Sequence, residues 1–234
     1  MRISHLLGTL SIAFLILACK SGSSDPEFLA KYTGNYLYTA DELIKVHAED
    51  QKLLIDWRGA ENIAPMKVGN DTYYVKHMNT KIRFMEHPDT RKEYLVFVPK
   101  HKDSALTFTY VKVADTFKTP SQYFDEGNYA KAMEGYLNIQ KNDSLNPIIE
   151  EWKINRKGYR YLQKDEVENA VALFELNMAL YPNSANVYDS YAEGMLRKGD
   201  TATAIANYQK VLSMDSGSRN AKRRLKRLQK GEEE

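Results

Sequence analysis

The sequence predicts an α+β protein, with a small antiparallel β barrel or curved sheet over residues 28–115 and an α-helical array over residues 120–230. Three observations lead there. From about Phe28 to Val113, short runs rich in aromatic and β-branched residues alternate with polar turn clusters. After a junction at Asp115 to Pro120, the apolar period changes from two to between three and four. Within the second half, Gly158, Ala170 and Phe174 recur as Ala192, Ala204 and Tyr208, about 34 residues on, a spacing typical of stacked helix pairs.

In chain order, residues 1–18 hold one early positive charge, Arg2, and an apolar run from Leu6 to Leu17 that ends at Ala18 before Cys19. The run is shorter than the roughly 20 residues a bilayer-spanning helix needs, but it suits the core of a signal peptide. Ala18 directly before the sole cysteine resembles the lipobox of bacterial lipoproteins, in which cleavage precedes the cysteine and the thiol is acylated. Cys19 is therefore the expected lipidation site, and residues 19–27 the expected tether, flexible and solvated through Ser21-Gly22-Ser23-Ser24. With one cysteine there is no internal disulfide, so stability must come from packing.

In the β region the clearest strand candidates are residues 36–38, 53–57, 72–75, 81–84, 94–98 and 106–111. Glu49-Asp50, Gly69-Asn70-Asp71 and Pro88-Asp89 supply turns between them. A meander of about seven or eight strands on so short a segment would curl, because closure removes exposed edges. Small barrels can hold an apolar ligand, though a barrel of this size has little interior once side chains fill it.

In the helical region Tyr129, Ala132, Met133, Tyr136 and Leu137 share one helical face, as do Val167, Ala170, Val171, Phe174 and Met178. Pro147 and Pro182 can open helices at the first turn, and Gly127 and Gly199 fit tight bends between paired helices. These residues resemble the tetratricopeptide repeat. The middle unit keeps Gly158, Tyr161, Ala170, Phe174 and Pro182, and the last keeps Ala204 and Tyr208. Ile154 and Tyr188 stand where that signature has tryptophan. A closing helix at about Ser218 to Lys230 carries seven Lys and Arg side chains, with Ala221, Leu225 and Leu228 on the remaining face. It reads either as a solvating cap or as a contact for anionic lipid headgroups.

The order of parts, and the stretches Asn155 to Leu162 and Tyr181 to Ser190, are similar to the C-terminal portion of Bacteroidetes serine hydrolases of the β-lactamase and penicillin-binding class. Members of that group follow the catalytic domain with a small β domain and such repeats. The resemblance implies an accessory module, not an enzyme. No serine in this chain has a lysine three residues later, and no Gly-x-Ser-x-Gly, His-Glu-x-x-His or phosphate-cradling glycine loop is present. No cofactor or metal is expected, since His47, His77, His87 and His101 are dispersed.

In the repeat family first helices line the concave surface. The resemblance would place Asn155, Tyr159, Asn186, Asp189, Glu193 and Arg197 there, as a groove for a protein or peptide partner. That surface is mixed in charge, which suits a polar or basic peptide. Glu193 and Arg197, spaced by four, have the orientation of an ordinary surface ion pair. The net charge of +2, about +1 once Arg2 is removed with the leader, gives no support to nucleic-acid binding. The sequence thus leads to the expectation of an exported, non-catalytic lipoprotein of the cell envelope, anchored by its N-terminal lipid and acting through its groove as a protein-interaction adaptor in an outer-membrane complex. The alternative is an accessory lipoprotein whose β domain binds a glycan or small molecule.

Overall fold

The computed structural model describes residues 24–101 and 104–231. They fall into two compact units, one formed by the chain up to Gly34 with Ile44–Thr109, the other by Asn35–Leu43 with the chain from Tyr110. The expected leader and Cys19 lie outside the described residues.

The first described residues depart from the expected tether. Asp25 accepts the Glu27 amide at 3.0 Å and Pro26 occupies the first turn, so Pro26–Tyr32 forms a helix, α1. Ser24 is buried, its amide donating to the Gln51 carbonyl at 2.8 Å. The driving force is aromatic. Helix α1 brings Phe28 and Tyr32 against Tyr73 and Phe84, with ring centroids 5.0 to 5.9 Å apart.

Nine strands occur among the described residues: β1 Gly34–Thr39, β2 Glu42–Glu49, β3 Lys52–Trp57, β4 Ala60–Ile63, β5 Met66–Gly69, β6 Thr72–Val75, β7 Thr80–Glu86, β8 Glu93–Val98 and β9 Tyr110–Val113. The run 106–111, expected as a strand, enters one only at Tyr110. In the first unit β2, β3 and β4 are antiparallel neighbours, as are β5, β6, β7 and β8. Strands β4 and β5 follow each other in the chain yet stand at opposite ends of the strand order. Of the two expected forms, the curved sheet is therefore the one found among the described residues, not the closed barrel. Two-residue turns join several of the strands, with Asp50, Gln51, Arg58 and Asp71 at positive φ, as tight hairpins of right-handed twist require. Ile44, Val46, Ile55, Val75, Ile82 and Leu95 are fully or almost fully buried and form the core with the aromatic residues.

In the second unit β1 pairs with β9, Asn35 opposite Val113 and Tyr36 opposite Lys112. Tyr38 stacks on Tyr110 at 5.0 Å. Seven helices follow: α2 Pro120–Asp125, α3 Tyr129–Asn142, α4 Glu151–Gln163, α5 Val167–Leu180, α6 Ala185–Lys198, α7 Thr201–Met214 and α8 Arg219–Gln229. Starts are set by side chains that accept otherwise orphaned amides: Thr119 with Gln122 in a capping box, Asn128, Asp200 and Ser218. Gly127 and Gly199 take positive φ in the bends, as their type allows. Pro147 opens a 3-10 turn over Pro147–Ile149, whereas Pro182 lies in the α5–α6 loop, short of the helix it was expected to open.

The helices pack in sequence, α4 against α5, α5 against α6 and α6 against α7. Ala170, Phe174, Ala192, Ala204 and Tyr208 are all completely buried. Gly158 permits the closest approach: a Cβ there would lie 2.4 Å from Phe174 Cε1. Gly194 meets the other edge of the same ring, where a Cβ would lie 2.9 Å from Cδ2. Helices α2 and α3 are held differently. Asp41, in the turn between β1 and β2, accepts the Ser121 amide at 2.7 Å through Oδ1 and the Tyr136 hydroxyl at 2.8 Å through Oδ2. Burial, reinforced by the Asp41 charge, holds the Tyr136 phenol far above its ordinary pKa.

Candidate groove on the first helices of the array

Helices α4, α6 and α8 are the first helices of successive units and carry equivalent rows of polar side chains. Positions 155, 156 and 159 follow Trp152 by three, four and seven residues, which places them on one face of α4 with it. The same reasoning groups Asn186, Asp189, Ser190, Glu193 and Arg197 on α6, and Asn220, Arg223 and Arg224 on α8.

Side-chain bonds join the three helices. The Tyr159 hydroxyl donates to Glu193 Oε2 at 3.1 Å and lies 3.3 Å from Ser190 Oγ. Glu193 Oε1 also faces Arg224 at 3.8 Å. Asn220 Nδ2 donates to both carboxylate oxygens of Asp189, at 3.0 and 2.9 Å, and Arg223 donates to Asn220 Oδ1 at 2.8 Å. Asn186 Nδ2 donates to Glu151 Oε1 at 2.9 Å. Burial pushes the Tyr159 phenol up to about 12, with the Glu193 carboxylate adding to the shift despite the opposing Ser190 bond. Behind this network the wholly buried Tyr208 places its hydroxyl in the field of Asp189, Glu193 and Arg224. That hydroxyl and Asn155 Oδ1 have no hydrogen-bond partner among the described residues.

All six residues expected to line the groove lie on α4 and α6, and the structure connects Tyr159 to Glu193. One detail differs from expectation. Arg197 does not serve as the surface partner of Glu193. It sits at the end of α6 and reaches Asp165 at 3.1 Å, because the α4–α5 turn places Asp165 at positive φ beside it. Asp189 and Glu193, read as part of a mixed-charge surface, are engaged by the chain's own donors.

Sequence reasoning missed Trp152, Arg156, Ser190, Asn220 and Arg224. Trp152 is 53% exposed, with the Arg156 guanidinium 4.7 Å from its ring. The signals were present: Trp152 precedes Asn155 and Tyr159 by three and seven residues, and Asn220 and Arg224 follow Asn186 and Ser190 at the repeat period.

The histidines stay apart in their roles. His47 bonds Asp56 at 3.0 Å, whereas His87 Nδ1 accepts the amides of Asp89 and Thr90 at 3.2 and 3.3 Å.

No family model matches the chain, and no curated protein matches it. Among solved structures it is similar to the first TPR of Spaghetti (RPAP3) bound to the HSP90 peptide SRMEEVD, with 17% identity over 48% of this chain and 86% of that one, TM-score 0.34. The first TPR domain of human RPAP3 shares 19% identity over 47% of this chain and 84% of that one, TM-score 0.34. MamA shares 17% over 50% and 67%, TM-score 0.33.

Proposed function

We propose that this chain is a non-catalytic adaptor of the bacterial cell envelope, which binds an extended peptide segment of a partner along α4, α6 and α8. The observation that carries the reading is Trp152, a large exposed aromatic on the same helical face as Asn155 and Tyr159. Exposed tryptophan and arginine side chains are over-represented among the residues that dominate interface energies. Arg156 and Arg223 flank the row, so the guest is an extended peptide bearing at least one acidic side chain. The apolar stem of that guest would rest on the Trp152 ring.

The proposal includes an outer-membrane lipid anchor at Cys19. It is supported by the apolar run before Ala18 and by the position of the sole cysteine. Metabolic labelling with a fatty-acid analogue tests it: label retained after Cys19→Ala would sink the anchor without touching the groove.

Trp152 and Trp57 are the two tryptophans, so a Trp57→Phe chain reports from the groove alone. Partners captured from detergent-solubilised envelopes would be cut into overlapping peptides and titrated against this chain. The expected result is a saturable change in Trp152 fluorescence with one acidic peptide, weakened at least tenfold by Arg156→Ala. A partner set unaltered by joint substitution of Trp152 and Arg156 refutes the adaptor reading.

A further inference from the structure

Helix α8 carries three faces of different chemistry. Ala221, Leu225 and Leu228 share one face, packed on the core that α7 supplies, with Ala221 and Leu225 buried. Asn220 and Arg224 lie to one side of it, engaged with Asp189 and Glu193 in the groove. Arg219, Lys222 and Lys226, separated by three and four residues, form a row about 10 Å long on the side away from the groove. All three are exposed, and none has a partner among the described residues. The surroundings of the row are nearly free of acids. Neither α7 nor α8 holds a carboxylate, and Asp215 between them accepts the Gly217 amide at 2.9 Å. The next acids in the chain, Glu232 to Glu234, follow the opposite end of α8 from Arg219 and Lys222.

The row also costs the helix. Arg219 stands in the first turn, where the helix dipole favours acids, and each of the pairs Arg219 with Lys222 and Lys222 with Lys226 sets like charges at the spacing that brings side chains together. Cations placed against both local rules, with no acid of the chain beside them, point to an anion from outside it. We propose that the row of Arg219, Lys222 and Lys226 docks on anionic lipid headgroups at a bilayer surface. Charge is all the row offers. The apolar residues of α8 face the core, which leaves no apolar anchor for a protein partner, and no aromatic stands in the helix to stack a base. A formal net charge of only +2 gives nucleic acid no broadly basic chain to bind. A sheet of anionic headgroups asks for nothing beyond cations held at one surface, and each Lys or Arg brought there strengthens binding about fivefold. This docking adds to the anchor proposed at Cys19 without resting on it, and leaves the groove side of α8 free for a guest.

The full chain carrying Cys19→Ala would be sedimented with vesicles of phosphatidylcholine alone, or of phosphatidylcholine and phosphatidylglycerol in equal parts. The apolar run of residues 6–17 meets either bilayer alike, so the ratio of the two affinities is the readout. The expected preference for the anionic vesicles is roughly a hundredfold at low salt, shrinking as salt rises. Arg219→Gln together with Lys222→Gln should cut that preference at least tenfold, by about fivefold for each cation. The same pair should leave the thermal midpoint equal or higher, because two unfavourable charges leave the helix. Lys52→Gln together with Lys67→Gln removes the same charge from exposed positions on β3 and β5, and should change the preference by no more than about twofold. Equal affinity for both vesicles, a preference unchanged in the α8 variant, or an equal loss in the β3 and β5 variant overturns the assignment. So does tighter binding to a single-stranded oligonucleotide with the same dependence on Arg219 and Lys222, which would make the partner a nucleic acid.

Discussion

Replacing Gly158 by alanine should destabilise the helical array, although alanine is the better helix former. The exchange alone favours the α4 helix by about 1 kcal/mol. Against this, the new methyl would lie 2.4 Å from Phe174 Cε1 and 2.9 Å from Cδ1 and Cζ. The ring has nowhere to go. Phe174 is wholly buried, Gly194 abuts its opposite edge, and Tyr159 meets it edge-on at 5.2 Å. Overpacking a well-filled core costs about 1–3 kcal/mol, and a contact this short on a boxed ring belongs at the upper end. The net loss is therefore about 2 kcal/mol, which corresponds to a fall of about 4–8 °C in the midpoint of a domain of this size. Urea unfolding followed by helical circular dichroism measures it. Combining the change with Phe174→Leu should return a favourable coupling of about 1 kcal/mol, because the smaller side chain removes the atoms the methyl meets. A neutral or stabilising Gly158→Ala would refute the reasoning, since it would mean that the ring can move and that α4 and α5 are not held at this distance by the glycine.

Three further outcomes follow from the bonds described. Asp41→Ala orphans the Tyr136 hydroxyl and one N-terminal amide of α2, and should cost about 2–3 kcal/mol, against about 1 kcal/mol for Tyr136→Phe; additive losses in the double variant would contradict a shared bond. Burial raises the Asp56 pKa, but the Asn62 amide, the His47 ring and the Lys45 charge outweigh it, so its carboxyl titrates below the ordinary 3.8. Its contribution is full above that value and is lost as pH falls through the lower folded one, so Asp56→Asn should flatten the acid limb of stability. Tyr159, raised from 10.0 to about 12, contributes stability that is complete below pH 10 and lost between pH 10 and about 12. Tyrosinate absorbance in that range should rise together with unfolding, and Tyr159→Phe should shift the alkaline limb upward.

Legibility differed between the two units for a physical reason. A helix repeats its demands within its own span, so Ala170, Phe174, Ala204 and Tyr208 declared a buried face before any partner was known. Strands need only alternate. Glu42–Glu49 buries just Ile44 and Val46 among charged neighbours, and β4 and β5 bury nothing fully, so three strands carried too few apolar residues to stand out. Helix α1 was legible in principle through Asp25 before Pro26, but the serine-rich run ahead of it obscured that cap. In the groove the rows were readable from the repeat, whereas the bonds were not. Which acid meets which donor depends on how α6 and α8 pack, and that places Asn220 beside Asp189 from 31 residues away.

The internal bonds also constrain how a guest would enter the groove. A peptide that pulled Asn220 from Asp189, or Arg224 from Glu193, would leave a desolvated charge behind, at about 1–3 kcal/mol for each group. A peptide that leaves them in place and covers Trp152 gains apolar contact with no such loss. The α6–α8 end of the face therefore offers a preset polar surface, rigid because its members already hold one another, whereas the α4 end offers side chains with contacts still to make. On this account alanine at Trp152 removes affinity, and Asp189→Asn, which keeps an acceptor for Asn220, changes it little. An equal loss from both would mean that the acids meet the guest directly, and would return the groove to a basic partner.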